Sequence, residues 1–177
     1  DSGSIFLEDK PLYLKNPAQA IAHGVGMVHQ HFMLIPNHTV SENIILGTPQ
    51  AFRLQKSKVR QQINELGTRY GLVLNPDLRV QDLSVGEQQK VEILKVLFRG
   101  AKILILDEPT AVLTPQESEA LYKILHQMKK DGHSILFISH KMKEVIELSD
   151  RITVLRHGRV KAIRNRGETN PLELANL

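Results

Sequence analysis

The sequence contains no cysteine. That absence excludes a disulfide framework and a thiolate metal site, and with them the usual reason to place a small chain outside the cell. No apolar run approaches the roughly 18 to 20 residues that span a bilayer, and no basic and then apolar leader opens the chain. With 41% hydrophobic and 24% charged residues over 177 positions, the composition predicts one globular domain, soluble or peripheral to a membrane.

Concentrated positive charge is also scarce, although the net charge is +4. Basic residues are spread along the chain except in one cluster, where they alternate with apolar residues, and this pattern argues against a nucleic-acid surface. The cluster consists of Arg151, Arg156, Arg159, Lys161, Arg164 and Arg166. Four histidines in the first quarter of the chain have spacings that match no standard metal site. They are His23, His29, His31 and His38.

The chain begins with Asp1 rather than Met, inside the pattern of a strand at residues 4–8, and this opening predicts a truncated start. Thr39 and Glu42 have the spacing of a capping box ahead of an apolar segment, which predicts a helix start. The other expected elements of this half are a helix at 17–22, a strand at 25–28, and helices at 57–70 and 85–98.

From residue 102 the pattern changes to short continuous apolar runs separated by helical segments. The runs lie at 103–106, 135–138 and 152–155. Such alternation predicts an α/β fold in which the runs are buried parallel strands joined by crossover helices.

The helix between the first two runs has clear end signals. Thr114 and Glu117 form a capping box at its start, and Gly132 terminates it. Further on, the His-Gly pair at 157–158 predicts a two-residue hairpin turn between two apolar alternations. Beyond residue 167 the sequence is polar and contains proline, as is typical of a linker.

Two adjacent carboxylates, Asp107 and Glu108, follow the run at 103–106. That position is the carboxyl end of a strand, where ligands of open α/β sheets bind. In a nucleotide hydrolase the first carboxylate would hold Mg²⁺, directly or through water, and the second would orient and polarise the attacking water. The alternative is a solvated Asp-Glu turn that only ends the strand.

Ser84 and Glu87 also form a capping box, which by itself predicts only a well-formed helix start. The same geometry has a second interpretation, in which the Ser84 hydroxyl, the Gly86 backbone and the free N–H groups of the helix make an anion site suited to a γ-phosphate. His140 follows the second apolar run, level with the two carboxylates, and this position favours a functional role over a structural one. Gln30, just after a strand, would mean little alone.

Together, Gln30, LSVGEQQK at 83–90, ILILDEP at 103–109 and His140 stand in the order and spacing of an ABC ATPase, which the chain resembles over essentially its whole length. The resemblance implies a P-loop NTPase-like ABC ATPase core, mostly a parallel sheet, with an inserted α-helical subdomain. The N-terminal β-subdomain and the Walker A strand and loop are expected to be missing.

The implied division of the chain is a partial nucleotide-binding domain at 1–166 and the start of a linker to a following cassette at 167–177. Within the first, the helical subdomain with the signature covers about 33–100, and the core with Walker B and the H-loop covers 101–166.

The resemblance also implies a role for each site residue, with ATP and Mg²⁺ as cofactors. Glu108 would be the general base and His140 the contact to the γ-phosphate. Asp107 and Gln30 would serve Mg²⁺, and Gln30 would couple the site to the transmembrane partner. The signature positions that would bind nucleotide are Ser84, Val85, Gly86 and Glu87.

A finer resemblance is carried by GMVHQHFMLIPNHTVSENI, LSVGEQQKVEILK and DEPTAVLTPQE, which look like the first cassette of the tandem-cassette ATPases of bacterial simple-sugar and nucleoside importers. It implies an ATPase at the cytoplasmic face of the membrane that couples hydrolysis to uptake of a nucleoside or simple sugar. The implied partners are transmembrane permease subunits, a second cassette in the same polypeptide or a dimer, and a solute-binding protein, with no nucleic acid.

The sequence departs from the family pattern in three places. No Gly is followed by Lys, so the Walker A cradle is absent and this fragment alone is expected to be inactive. Val85 and Glu87 stand where the commonest signature has Gly and Gln. Residues 111–114 lack the aspartate often found after Walker B.

Two other classes of function compete with a transport ATPase. One is a non-transport ABC ATPase acting on nucleic acid or the ribosome, but residues 30–83 are too few for the long coiled coil of the DNA-repair members. The other is a non-hydrolysing interaction module, against which the intact Asp107, Glu108 and His140 argue.

Overall fold

The computed structural model describes residues 3–48 and 56–176, which form seven β-strands and seven α-helices. The strands are β1 (Ile5–Leu7), β2 (Lys10–Leu12), β3 (Val25–Val28), β4 (Ile103–Asp107), β5 (Ser134–Ile138), β6 (Arg151–Arg156) and β7 (Arg159–Asn165). The helices are α1 (Pro17–Ala22), α2 (Val40–Ile45), α3 (Lys56–Tyr70), α4 (Val85–Phe98), α5 (Pro115–Lys130), α6 (Met142–Leu148) and α7 (Pro171–Asn176). Within these ranges no helix has both the length and the apolar character needed to cross a bilayer.

The centre of the fold is a three-stranded parallel sheet in the order β3, β4, β5. The predicted parallel pairing of the first two apolar runs is therefore confirmed. One face of this sheet packs against α4 and α5, where Leu104 and Leu106 are fully buried. On β5, however, Leu136 and Ile138 are exposed, so this strand is buried on one face only within the described residues.

The third apolar run is different from the prediction. It lies in β6, which pairs antiparallel with β7 in a separate two-stranded sheet. The reason is the turn between them, because two residues leave room only for an antiparallel return. His157 and Gly158 both have positive φ, 50° and 70°, as the predicted hairpin turn requires.

The described part of residues 33–100 contains α2, α3, a short 3₁₀ turn and α4, with one isolated bridge between Thr39 and Arg79. The predicted capping box at Thr39 and Glu42 is present at the start of α2. These helices pack together through a fully buried apolar cluster that reaches α4, and the same core continues to the central sheet. Its largest members here are Ile44, Ile63, Leu72, Ile93 and Leu94.

The end of the described chain holds a helix, α7, where the sequence suggested only polar linker. The Asn170 side chain accepts a hydrogen bond from the Glu173 N–H at 2.9 Å, and Pro171 occupies the first turn, so local signals for a helix start are present. Leu174 is buried, and α7 packs against α6. A connection from this segment to a following cassette stays a prediction.

Candidate functional site

The carboxyl end of β4 carries the acid pair. Asp107 is the last residue of the strand and lies opposite Ile138 of β5. Glu108 follows with φ of 45°, and its N–H donates to the Ile138 carbonyl at 2.9 Å. A non-glycine residue held in this left-handed region costs free energy, so the surrounding contacts must hold Glu108 there.

Glu108 is the centre of a small cluster. Nδ1 of His140 lies 3.0 Å from Oε1 of Glu108, and Nε2 of Gln30 lies 3.4 Å from Oε2. The structure therefore brings Gln30 and His140, 78 and 32 positions away in the chain, onto the Glu108 carboxylate, and the sequence pattern had placed only His140 at this edge of the sheet. The His140 side chain is 69% exposed and that of Glu108 is 27% exposed, so the cluster faces solvent.

The His140 contact determines which ring nitrogen carries a proton. An ionised carboxylate only accepts hydrogen bonds, so Nδ1 of His140 must donate to Glu108. Nε2 then lies on the other side of the ring and is available to a ligand.

Asp107 and Gln30 offer oxygen atoms, which are the ligands that Mg²⁺ takes in proteins. Among residues 3–48 and 56–176 no group of three or more His, Asp and Glu side chains could hold a metal ion without further ligands. This is compatible with Mg²⁺, which uses one or two protein ligands together with phosphate oxygens and water. The residues present therefore fit that ion.

The signature segment lies at a different place. Ser84 caps α4 in a complete capping box with Glu87, so the structural interpretation of this pair is confirmed. Ser84, Gly86 and Glu87 line a cavity of about 230 Å³ together with α5 residues such as Glu117. The residues that line this cavity include none of the proposed catalytic and metal-binding residues, which are Gln30, Asp107, Glu108 and His140. Val85 at the same helix start is exposed.

Sequence reasoning missed two buried carboxylates near these sites. Glu92 of α4 is 3% exposed and accepts the Met33 N–H at 2.6 Å, just beyond Gln30 in the chain. The sequence could have predicted a buried contact for Glu92, because a glutamate on the mostly apolar face of a helix needs a buried partner. Glu144 of α6 is also buried, and nothing in its local sequence distinguishes it from a surface glutamate.

The family model for the ABC transporter matches residues 1–111. The nucleoside import ATP-binding protein NupA of Lactococcus lactis subsp. cremoris is 46% identical over 177 residues, which is 99% of this chain and 35% of that protein. The guanosine import ATP-binding protein NupO of Bacillus subtilis is 47% identical over 180 residues, 100% of this chain and 35% of that protein. The chain thus spans about a third of the length of these relatives.

Solved structures show the same fold. An ATP-binding cassette of an ABC transporter in its ADP conformation superposes with a TM-score of 0.80 at 23% identity, covering 99% of this chain and 72% of the other. A nucleotide-free cassette gives a TM-score of 0.82 at 22% identity, with coverages of 98% and 72%. With more than half of its length matched by the family model, the chain belongs to the ABC transporter family.

Proposed function

We propose that this chain is part of an ATP-binding and ATP-hydrolysing subunit of an ABC importer, which couples hydrolysis to the uptake of a nucleoside or simple sugar. The observation that carries the proposal is the cluster at the end of β4, in which His140 and Gln30 both contact Glu108. The names of the relatives, which include nucleoside, guanosine and ribose import ATP-binding proteins, support the choice of solute.

Glu108 is the proposed general base. Its carboxylate is partly exposed, so a water molecule can reach it, and the contacts from His140 and Gln30 limit the directions in which it can point. A base that is held in position raises the rate of proton transfer in the transition state. His140 contacts the γ-phosphate through Nε2, since its Nδ1 is committed to Glu108.

Mg²⁺, held by Asp107 and Gln30 together with the phosphates, would neutralise negative charge on the ATP phosphate groups. Gln30 contacts Glu108 and is three residues before Met33, whose backbone is bound by α4. A change at the nucleotide therefore has a short path into the helical part of the chain, where we place the contact with the permease.

The signature residues Ser84, Val85, Gly86 and Glu87 serve a different nucleotide. Their cavity is separate from the Glu108 cluster, so we assign them to the γ-phosphate of ATP held by a second cassette. The start of α4 supplies the positive end of a helix dipole for that anion. The proposed partners are this second cassette, the transmembrane permease subunits and a solute-binding protein, and the proposed location is the cytoplasmic face of the membrane.

The test uses the full-length protein that contains this chain, assembled with its permease in lipid vesicles. Glu108→Gln keeps the size of the side chain and removes the base, so ATP turnover should fall by about 10²-fold or more while ATP binding is retained. Glu119→Gln, an exposed glutamate of α5, is the matched control. Turnover of Glu108→Gln within about twofold of the control would contradict the assignment. Uptake of labelled nucleosides and pentoses by the same vesicles tests the solute.

A further inference from the structure

A buried carboxylate lies directly behind the Glu108 cluster. Glu144 is 7% exposed and Thr110 is 1% exposed, and the Thr110 hydroxyl lies 2.7 Å from Oε2 and 2.9 Å from Oε1 of Glu144. Thr110 is two residues beyond Glu108 in the chain. Glu144 therefore binds the loop that carries the proposed base, from the side that faces away from solvent.

Glu144 binds the loop of His140 as well. The Ser139 hydroxyl donates to Oε2 of Glu144 at 3.1 Å, and Nζ of Lys141 lies 3.3 Å from Oε1. Both donors are the immediate neighbours of His140 in the chain. The Ser139 hydroxyl oxygen also accepts the Lys141 N–H at 3.0 Å, which closes a tight turn around the histidine.

The two loops are further joined to each other. Nζ of Lys141 donates to the Thr110 carbonyl at 2.9 Å. Tyr122 of α5 also donates a hydrogen bond to Glu144. The pKa of Tyr122 is raised, first by burial and then by the negative charge of Glu144. Burial alone would raise the pKa of Glu144, but the hydrogen bonds from Thr110, Lys141 and Tyr122 outweigh it and hold the pKa below its ordinary value.

Glu144 is thus an ionised, buried acceptor for donors from both catalytic loops. On the exposed side the same two loops are joined by the side chains of Glu108 and His140, which must also handle ligands, and at the strand ends by the Glu108 N–H, which donates to the Ile138 carbonyl. Long exposed side chains do not by themselves fix a distance, because each has several accessible rotamers. A buried network in which every donor is hydrogen-bonded does fix the distance between the two loops.

We propose that Glu144 is a positioning residue for ATP hydrolysis, which sets the distance between the Glu108 carboxylate and the His140 ring by binding Thr110 on one loop and Ser139 and Lys141 on the other. This rests on the proposed function, in which Glu108 and His140 act on the same nucleotide. Glu144 itself does not touch the reacting atoms.

The experiment measures steady-state ATP hydrolysis and ATP binding by the full-length protein with its permease, in four variants. Glu144→Gln keeps the shape but replaces one acceptor oxygen with a donor, so the loops lose their common acceptor. Glu147→Gln, an exposed glutamate on the same helix, is the control. Thr110→Val removes only the hydroxyl, and Thr110→Ser restores it.

We expect kcat to fall by about 10- to 100-fold in Glu144→Gln and Thr110→Val, as for a small misplacement of reacting groups, with the ATP Kd within about twofold of wild type. Thr110→Ser should recover most of the loss.

A second measurement separates positioning from loss of stability. If Glu144 acts through His140, the Glu144→Gln change should cost little further in kcat when His140 is already Ala, because the two effects are not independent. Multiplicative losses in the double variant, or a kcat for Glu144→Gln equal to that of Glu147→Gln, would overturn the proposal. Should Glu144→Gln fail to assemble, the Thr110→Val and Thr110→Ser pair gives the same decision, since equal kcat values for those two overturn it. Failure of the proposed function looks different, because Glu108→Gln would then hydrolyse ATP at the wild-type rate.

Discussion

The carboxylate of Glu117, in the first turn of α5, lies against the backbone of Gly86 in the first turn of α4. A Cβ atom added to Gly86 would overlap Oε1 of Glu117 and stand 2.7 Å from its carboxyl carbon. Hydrogen bonds from the Thr114 backbone and hydroxyl, and then from the Gly86 N–H, hold the pKa of Glu117 below its ordinary value. One side chain therefore caps its own helix and approaches the start of a second.

This contact makes Gly86 sensitive to any side chain. In Gly86→Ala the methyl group must displace the Glu117 carboxylate, which would break the capping box of α5 with Thr114. We expect the melting temperature of the full-length protein to fall by about 1 to 4 °C. Because the obstacle is the end of a flexible side chain, the protein should still fold.

The cause is tested by repeating the change in a Glu117→Ala background. Without the carboxylate, Gly86→Ala meets no obstacle from this residue, so the second change should lower the melting temperature less than it does in the wild type. Equal shifts in the two backgrounds would show that the Glu117 contact is not what Gly86 accommodates.

Glu108 provides a second prediction, because its φ of 45° is unfavourable for any residue with a Cβ. Glu108→Gly should be more stable than Glu108→Ala by about 1 kcal/mol, the reverse of the usual order of these two residues. Both variants lack the carboxylate, so the comparison isolates the backbone. Thermal unfolding of the two full-length proteins measures it, and a more stable Ala variant would mean that Glu108 relaxes to negative φ in solution.

A third prediction concerns the binding of Met33 by α4. Glu92 accepts the Met33 N–H at 2.6 Å, Lys95 donates to the Met33 carbonyl at 2.9 Å, and the two side chains are 3.6 Å apart. Glu92→Leu would leave the Met33 N–H without its charged acceptor and Lys95 without its counter-charge. We expect a loss of about 1–3 kcal/mol in stability.

Hydrogen exchange is the measurement that locates this effect. The Met33 amide should exchange faster in Glu92→Leu than in the wild type, whereas amides in the middle of β4 should change little. Glu65→Leu, an exposed glutamate on α3, is the control for introducing leucine. Unchanged protection at Met33 would show that the Glu92 contact is not formed in solution.

The features that the sequence predicted well are those that depend on near neighbours. All three predicted capping boxes, at Thr39, Ser84 and Thr114, are present, because each needs only a pair of residues three positions apart. The parallel pairing of β4 and β5 was also predictable, because two continuous apolar runs separated by a helix are typical of neighbouring parallel strands.

The errors and omissions are non-local. An apolar run such as that in β6 does not specify its partner, so its antiparallel pairing depended on the turn at 157–158 rather than on the run itself. Glu144 has the sequence context of a surface residue, and its contact with Thr110 spans 34 positions. Such a contact follows from how α6 packs against its neighbouring helices α5 and α7, which no local pattern encodes. Gln30 was identified only through the spacing of the other motifs.

The last prediction concerns Gly26, in the middle of β3 and four residues before Gln30. A Cβ atom there would lie 2.9 Å from the Cβ atoms of both Ala101 and Val96. Cβ atoms are fixed to the backbone, so α4 or the strand itself would have to move, and overpacking of this kind costs about 1–3 kcal/mol. We expect Gly26→Ala to destabilise the full-length protein by this amount in thermal unfolding, whereas Gly3→Ala, with open space around it, should be neutral.

Adding Ala101→Gly removes one of the two close contacts and should recover part of the loss, because the contact with Val96 remains. A double variant that is less stable than Gly26→Ala alone would contradict the packing argument. Since a shift of β3 also moves Gln30 relative to Glu108, the variant should show reduced ATP turnover even at temperatures where it is fully folded.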